Sequence, residues 1–212
     1  MRLSLDRQTY KWLGLALALH LGAAYFSLGF YHADEHFQLV EMLRARLGFS
    51  PPADLQIEFH ERIRPWFQAS FMSAIMQSAR GLGIESPFAI AFLWRLKASA
   101  IGFFSLVMLT LCAPGVFGKE ANRATAGVLV LSATLWFLPA LHARMSSESL
   151  SGSLVLLAAC TAYLWRVSPR SSIFVGVLLG AAFNVRYQTA FMSLGLLAWM
   201  FWQAPRAVRV RS

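Results

Sequence analysis

The sequence predicts an all-α integral membrane protein, a polytopic helical bundle with about six spans. Hydrophobic residues make up 57% of its 212 residues, whereas a soluble domain is usually roughly 45–50% apolar. These residues fall in blocks, several of them long enough to cross the ~30 Å hydrocarbon core of a bilayer. Lysines and arginines collect at the ends of the blocks. We treat residues 1–212 as a single transmembrane domain.

The first block, residues 12–30, is predicted to be the first span. Arg2, Arg7 and Lys11 precede it, which places its start in the cytoplasm. A cleaved signal peptide would also show a basic start followed by an apolar run. The run is long for a signal peptide and lacks a clear cleavage site of small residues near its end, which favours an uncleaved span.

Residues 31–86 form a polar segment, predicted to be a long first outer loop with two amphipathic helices on the membrane surface. Asp34 can cap the first helix, which ends before Gly48. The second is expected to begin at Pro65 and to stop at Gly81. The segment holds seven of the ten acidic residues: Asp34, Glu35, Glu41, Asp54, Glu58, Glu61 and Glu85.

The remaining spans are predicted within residues 87–204. The block 87–112 contains Arg95 and Lys97, and a charge at mid-bilayer costs roughly 2.5–3.5 kcal/mol. We therefore expect its first turns to lie at the interface and the span proper to start near Ala98. Further apolar blocks cover residues 124–140, 150–165, 173–185 and 190–202.

The basic residues also predict the orientation. Most of them follow alternate blocks, while the opposite short loops carry Arg144 and Arg186 alone. This positive-inside pattern places both termini in the cytoplasm and residues 31–86 outside the cytoplasm. The expected location of the protein is a bacterial inner membrane or an ER-type membrane. The formal charge of +9 does not indicate nucleic acid, because the basic residues are spread along the chain. The expected partner is the lipid bilayer.

A polar constellation directly follows the first span. It consists of His32, Asp34, Glu35, Gln38 and Glu41. Adjacent carboxylates at a lipid–water boundary are costly unless they are paired, hydrated or used. A helical turn brings Asp34, Gln38 and Glu41 together, where a carboxylate could take a proton from an acceptor hydroxyl. The alternative is that Asp34 only caps the helix.

Arginines are the candidate phosphate ligands. Arg64 and Arg186 could each bind a phosphate through the guanidinium fork. Alternatively, Arg64 pairs with Glu58 or Glu61 or contacts lipid headgroups, and Arg186 snorkels to the interface. Cys112 and Cys160 both lie in apolar runs. We find no nucleotide loop and no metal-ligand spacing, so no cofactor and no metal is expected.

Residues 31–66 resemble the first outer loop of family-22 glycosyltransferases, the mannosyltransferases of GPI anchors and N-glycan precursors. Ala33 and Ile57 depart from the family, which usually has proline and tryptophan there. Two later stretches, 144–148 and 180–186, are also similar. The matching residues are His32, Asp34, Glu35, Gln38, Glu41, Glu58-Phe59 and Ile63-Arg64-Pro65.

The resemblance implies a GT-C-like fold. It also implies transfer of mannose, or a similar hexose, from a polyprenyl-phosphate donor to a glycan or glycolipid hydroxyl. Asp34 would be the general base, with inversion at the sugar's anomeric carbon, and Glu35 would orient either the acceptor or Asp34. His32, Gln38 and Glu41 would bind substrate, and Arg64 and Arg186 the donor phosphate.

The similarity covers the amino-terminal half of the family's usual length. We therefore expect the amino-terminal part of a longer fold, with a separately encoded carboxy-terminal half as a further partner. The alternative is a non-catalytic membrane scaffold or a truncated remnant of such an enzyme. A downstream reading frame that encodes further spans would favour the enzyme.

Overall fold

The computed structural model describes residues 7–29, 33, 35–51, 53, 55–61, 63, 65–118, 121–135, 137–165 and 168–209. The described residues form helices joined by turns and contain no strand, which confirms the all-α prediction. His32, Asp34 and Arg64 lie outside the described residues, so the predictions for these three side chains remain predictions.

The helices follow one another along the chain with short connections. They are α1 (Arg7–Phe26), a π-helical turn (Glu35–Val40), α2 (Glu41–Arg46), α3 (Ile57–His60), α4 (Phe67–Gly81), α5 (Pro87–Phe117), α6 (Ala121–Thr134), α7 (Phe137–Ala143), α8 (Ser147–Leu164), α9 (Pro169–Val185), a 3₁₀ turn (Tyr187–Thr189) and α10 (Ala190–Arg209). Helix α5 lies at the centre of the bundle and packs against α1, α6, α7 and α8.

Two described helices, α5 and α8, are long and apolar enough to cross a membrane, and α9 is a shorter apolar helix. They are consistent with a membrane protein, while the count of about six spans stays a prediction. Helix α5 has 31 residues and is about 46 Å long, which exceeds the ~30 Å bilayer core. It is continuous from Pro87, so the turns that carry Arg95 and Lys97 belong to the same helix as the apolar part.

One apolar block does not form a single helix. Residues 124–140 read as one span, but α6 ends at Thr134 and α7 begins at Phe137. Pro139 explains the break, because in a continuous helix its ring would clash with the carbonyl of Leu135. In the structure that carbonyl instead accepts a hydrogen bond from the N–H of Leu138.

The polar segment lies against the start of α5 and the connection between α7 and α8. Leu39, Leu43, Met72 and Met145 form a buried apolar cluster that joins these parts. The indole N–H of Trp94 donates to the Met72 carbonyl at 3.0 Å. These contacts hold the residues after α1 close to those that precede α8.

Helix α4 is amphipathic, as predicted, although it begins at Phe67 rather than Pro65. Met72 and Met76 are buried on one side, whereas Phe67 and Phe71 are exposed on the other. The Lys97 ammonium of α5 lies 5.4 Å from the centre of the Phe71 ring, within the range of a cation–π contact.

Candidate active site

Glu35 is the buried carboxylate of the segment that follows α1. Its side chain is 2% exposed, and Oε2 lies 3.7 Å from Nη1 of Arg144, which precedes α8. The same Arg144 nitrogen donates to the carbonyl of Gly29 at 2.9 Å. Gly29 has φ +63°, a conformation that favours glycine, so the turn after α1 presents its carbonyl to the arginine. A buried carboxylate needs such a cation.

Gln38 and Glu41 have different surroundings. Gln38 lies in the same π-helical turn as Glu35 and donates from Nε2 to Oε2 of Glu58 at 3.2 Å. Glu41 begins α2, and its Oε1 lies 3.2 Å from His36 Nε2 and 3.5 Å from Arg44 Nη1. The structure therefore brings Glu35 and Gln38 onto one turn, and it pairs Glu41 with its own neighbours.

Arg186 joins the end of α9 to the start of α8. It forms an ion pair with Glu148, and its Nη1 donates to Ser147 Oγ at 3.3 Å. Ser147 Oγ in turn donates to Glu148 Oε2 at 3.3 Å. The hydroxyl of Ser146 caps α8 by accepting from the N–H of Ser149. Glu148 lies in the first turn of α8, where the helix dipole favours a negative charge.

Glu35 and Glu148 both line a small cavity, which we call the carboxylate cavity. Its volume is about 20 Å³, room for about one water-sized group. Each of the two carboxylates has its own arginine, Arg144 for Glu35 and Arg186 for Glu148. The lining residues are Glu35, Gln38, Leu39, Met42, Pro65, Gln68, Ser146, Ser147, Glu148 and Val185.

Gln68 is a wall residue of this cavity that the sequence analysis did not single out. It is 3% exposed, and its Nε2 donates to the Met145 carbonyl at 2.5 Å. Its Oε1 is buried and finds no hydrogen-bond donor within the described part of the chain. The available signal was a glutamine one turn before Met72 on the apolar face of an amphipathic helix.

Glu35 also lines a larger cavity of about 320 Å³, which we call the arginine cavity. Arg95 and Arg144 provide its positive charges, and Phe88, Trp94 and other apolar side chains form its walls. Arg95 Nε donates to the Ala91 carbonyl at 3.1 Å, which anchors the guanidinium group to its own helix. From the sequence, Arg95 was expected only to lie at the membrane interface.

The arrangement can position a hydroxyl and an anion close together. The carboxylate cavity offers acceptors for a hydroxyl, and the adjoining arginine cavity offers guanidinium groups to an anion inside apolar walls. Among the described residues, no group of three or more His, Cys, Asp or Glu side chains could hold a metal ion.

Comparison with known protein families shows to which family the chain is related. Residues 11–210 match the Alg9-like mannosyltransferase family. Comparisons with curated proteins and with solved structures find no match to the chain. The family match confirms the resemblance to family-22 glycosyltransferases. Because the match spans nearly the whole chain, the protein belongs to the Alg9-like mannosyltransferase family.

Proposed function

We propose that the protein transfers mannose, or a similar hexose, from a polyprenyl-phosphate-linked donor to a hydroxyl of a glycan or glycolipid. The observation that carries this proposal is the carboxylate cavity. There the segment after α1, α4 and the start of α8 bring Glu35, Gln68 and Glu148 together beside two arginines. The family membership supports sugar transfer in general, and the cavity supports a hydroxyl as the acceptor.

The proposed transfer needs a general base for the acceptor hydroxyl and cationic groups that stabilise the negative charge of the departing phosphate. The acceptor hydroxyl gives its proton to the Asp34 carboxylate while its oxygen bonds to C1 of the sugar. The bond from C1 to the phosphate oxygen breaks, and polyprenyl phosphate leaves with the electron pair. Attack from the opposite side inverts C1. Guanidinium groups aimed at the departing phosphate stabilise its charge.

Glu35 is assigned a positioning role beside Asp34. Its buried carboxylate is tied to Arg144, so a change at Glu35 also shifts this arginine. Arg95 and Arg144 line one cavity with apolar walls, which suits a phosphate carried on a polyprenyl chain. Arg64 and Arg186 remain further candidates for the same phosphate. His32, Gln38 and Glu41 remain the predicted contacts to substrate.

The decisive substitution is Asp34→Asn, because it keeps the size and much of the capping ability of the side chain but removes the basic oxygen. General-base assistance is typically worth roughly 10²–10⁴-fold, so we expect transfer to fall by about two orders of magnitude or more. The assay is transfer from polyprenyl-phosphate mannose to a glycolipid in membranes, with membrane insertion measured in parallel.

Glu85→Gln is the matched control for this assay, since Glu85 is an exposed carboxylate of the same outer segment. It should transfer sugar at the wild-type rate. Unimpaired transfer by Asp34→Asn would show that Asp34 only caps the helix. Absence of transfer by the wild-type chain would favour the non-catalytic scaffold instead.

A further inference from the structure

Two buried histidines on different helices contact each other. His20 of α1 is 1% exposed, and its Nε2 lies 2.9 Å from Nδ1 of His142 in α7, which is 9% exposed. The two ring centres are 5.2 Å apart. The site described above uses neither residue, and the sequence alone offered no partner for His142.

The hydrogen bonds determine which nitrogen carries the proton in the neutral pair. His20 Nδ1 lies 2.7 Å from the carbonyl of Ala16, which can only accept, so Nδ1 is the protonated nitrogen of His20. His20 Nε2 is then an acceptor and requires a proton on His142 Nδ1. His142 is left with an unprotonated Nε2, a hydrogen-bond acceptor.

The packing of His142 leaves this acceptor available. Gly102 of α5 lies so close that a methyl group there would collide with Cβ, Cγ and Nδ1 of His142. This edge of the ring is therefore held between α1 and α5, and His142 also lines the adjoining cavity. Within the described part of the chain, Nε2 has no hydrogen-bond partner.

That cavity, which we call the serine cavity, has a volume of about 440 Å³, within the usual range of ligand pockets. Serine hydroxyls, His142 and Glu148 provide its polar groups, and leucines form an apolar wall. It shares Ser146 and Glu148 with the carboxylate cavity. The lining residues are Ser105, Leu106, Leu138, Leu141, His142, Ser146, Glu148, Ser149, Gly152, Ser153 and Leu156.

The charges of the serine cavity argue against an anionic ligand. Glu148 is the charged residue among its described lining residues, and neither lysine nor arginine lines it there. A phosphate would meet the Glu148 carboxylate, whose partner Arg186 does not line the cavity. The hydroxyl of Ser105 already donates to the Gly102 carbonyl, and that of Ser146 accepts from the Ser149 N–H. A purely apolar ligand would leave His142 Nε2 without a partner, which is costly for a buried polar atom.

We propose that the serine cavity binds an uncharged hexose, the acceptor sugar, and that His142 Nε2 accepts a hydrogen bond from one of its hydroxyls. His20 acts on the ligand only through His142, because it sets the proton position. The identity of the ligand as the acceptor rests on the proposed function. In that arrangement the acceptor sugar and the phosphate of the donor reach the carboxylate cavity from opposite sides.

The test measures binding to the full chain in lipid nanodiscs, with no transfer reaction involved. The probe is dodecyl mannoside, and the readout is the ¹⁵N signal of the His142 ring. In the free protein this signal should show a proton on Nδ1 and none on Nε2. Saturating mannoside should shift the Nε2 signal, whereas dodecyl phosphate and dodecanol should leave it in place.

Two substitutions separate the ligand contact from the contact with His20. His142→Asn keeps an amide near the position of Nδ1 but has no acceptor at the position of Nε2, so mannoside affinity should fall about tenfold. His142→Gln places its amide near the position of Nε2 and should bind within about threefold of wild type. Affinity can be measured by fluorescence of the native tryptophans.

Three results would overturn the proposal. They are an equal shift of the His142 signal with dodecyl phosphate, an equal shift with dodecanol, or wild-type mannoside affinity in His142→Asn. The wild-type measurement decides the matter even if a variant folds poorly. Mannoside binding without transfer activity would contradict the proposed function alone, and transfer activity without mannoside binding would contradict this inference alone.

Discussion

Burial gives the ion pair of Glu35 and Arg144 more weight than a surface pair would have. Glu35 is 2% exposed, and the arginine side chain is 16% exposed. An exposed pair contributes roughly 0–1 kcal/mol, whereas removing one partner of a buried pair costs roughly 3–5 kcal/mol, because the other charge is left uncompensated. This pair also ties the turn after α1 to the start of α8.

Replacement of Arg144 by methionine should therefore lower the free energy of unfolding by about 3 kcal/mol. The double variant Glu35→Gln/Arg144→Met should recover about half of that loss, because no uncompensated carboxylate remains. Chemical unfolding in bicelles measures both. Arg123→Met is the control, since Arg123 is an exposed arginine of α6. An Arg144→Met variant as stable as the control would contradict the role of the pair.

The sequence predicts the types of side chain in the site better than it predicts which of them contact one another. Glu35 and Gln38 both line one cavity, although an α-helical turn was expected to group Gln38 with Asp34 and Glu41 and not with Glu35. Glu41 was expected near Gln38 on an α-helical turn, but the π-helical turn has a wider hydrogen-bond spacing and changes which side chains share a side. Arg144 lies 109 residues after Glu35, and local pattern carries no information about such a partner.

Helix α4 offers a comparison of two adjacent side chains. Met72 is fully buried among Leu39, Leu43 and Met145, whereas Phe71 is 47% exposed. Truncation of a buried methionine typically costs 2–5 kcal/mol, through lost contacts and the cavity left behind. The face of α4 that holds it to the rest of the molecule is therefore the methionine face.

We expect Met72→Ala to loosen the contact of α4 with α2 and α5 and to lower the free energy of unfolding by about 2–4 kcal/mol. Phe71→Ala removes a larger side chain but should have a smaller effect, because half of its surface is already exposed. Hydrogen exchange of the α4 amides in bicelles checks the order. Faster exchange in Phe71→Ala than in Met72→Ala would reverse the assignment of the two faces.

The predicted start of α4 was close to the observed one, whereas the predicted extent of the block 124–140 was wrong. The amphipathic pattern predicted α4 to within two residues of its observed start. The break between α6 and α7 was missed, because the apolar block around Pro139 was read by its hydropathy alone. Pro139 marks this break, whereas α5 continues through Pro114 to Phe117, so a proline within an apolar run does not by itself determine a helix boundary.

The orientation of the whole molecule in the membrane is a prediction from its charges that can be tested directly. Residues 31–86 are predicted to face away from the cytoplasm, with both termini inside. Single cysteines replacing Ala53 and Ser212 should react with a membrane-impermeant maleimide from opposite sides. Cys112 and Cys160 are buried, and their replacement by serine provides the unreactive background. Labelling of position 53 from the cytoplasmic side alone would show that the predicted topology is wrong.

Composition was enough to predict an all-α membrane protein, and one short motif was enough to predict its family. The number of spans is a harder problem. Helix α1 carries Arg7 and Lys11 in its first turns, and hydropathy averaged over a window penalises such charges wherever they lie. Charged side chains at a helix end can extend to the membrane interface. Whether a helix counts as a span therefore depends on how deep its charged residues lie in the bilayer, and average hydropathy does not contain this depth.

The length of α5 has a consequence for movement within the protein. Arg95 in the arginine cavity and Ser105 in the serine cavity lie on this one helix, ten residues and about 15 Å apart along its axis. A packed α-helix moves as a rigid body far more readily than it stretches. If α5 tilts, the two cavities shift in concert and the separation of these backbone positions is conserved. Opening one cavity by tilting α5 therefore changes the other at the same moment.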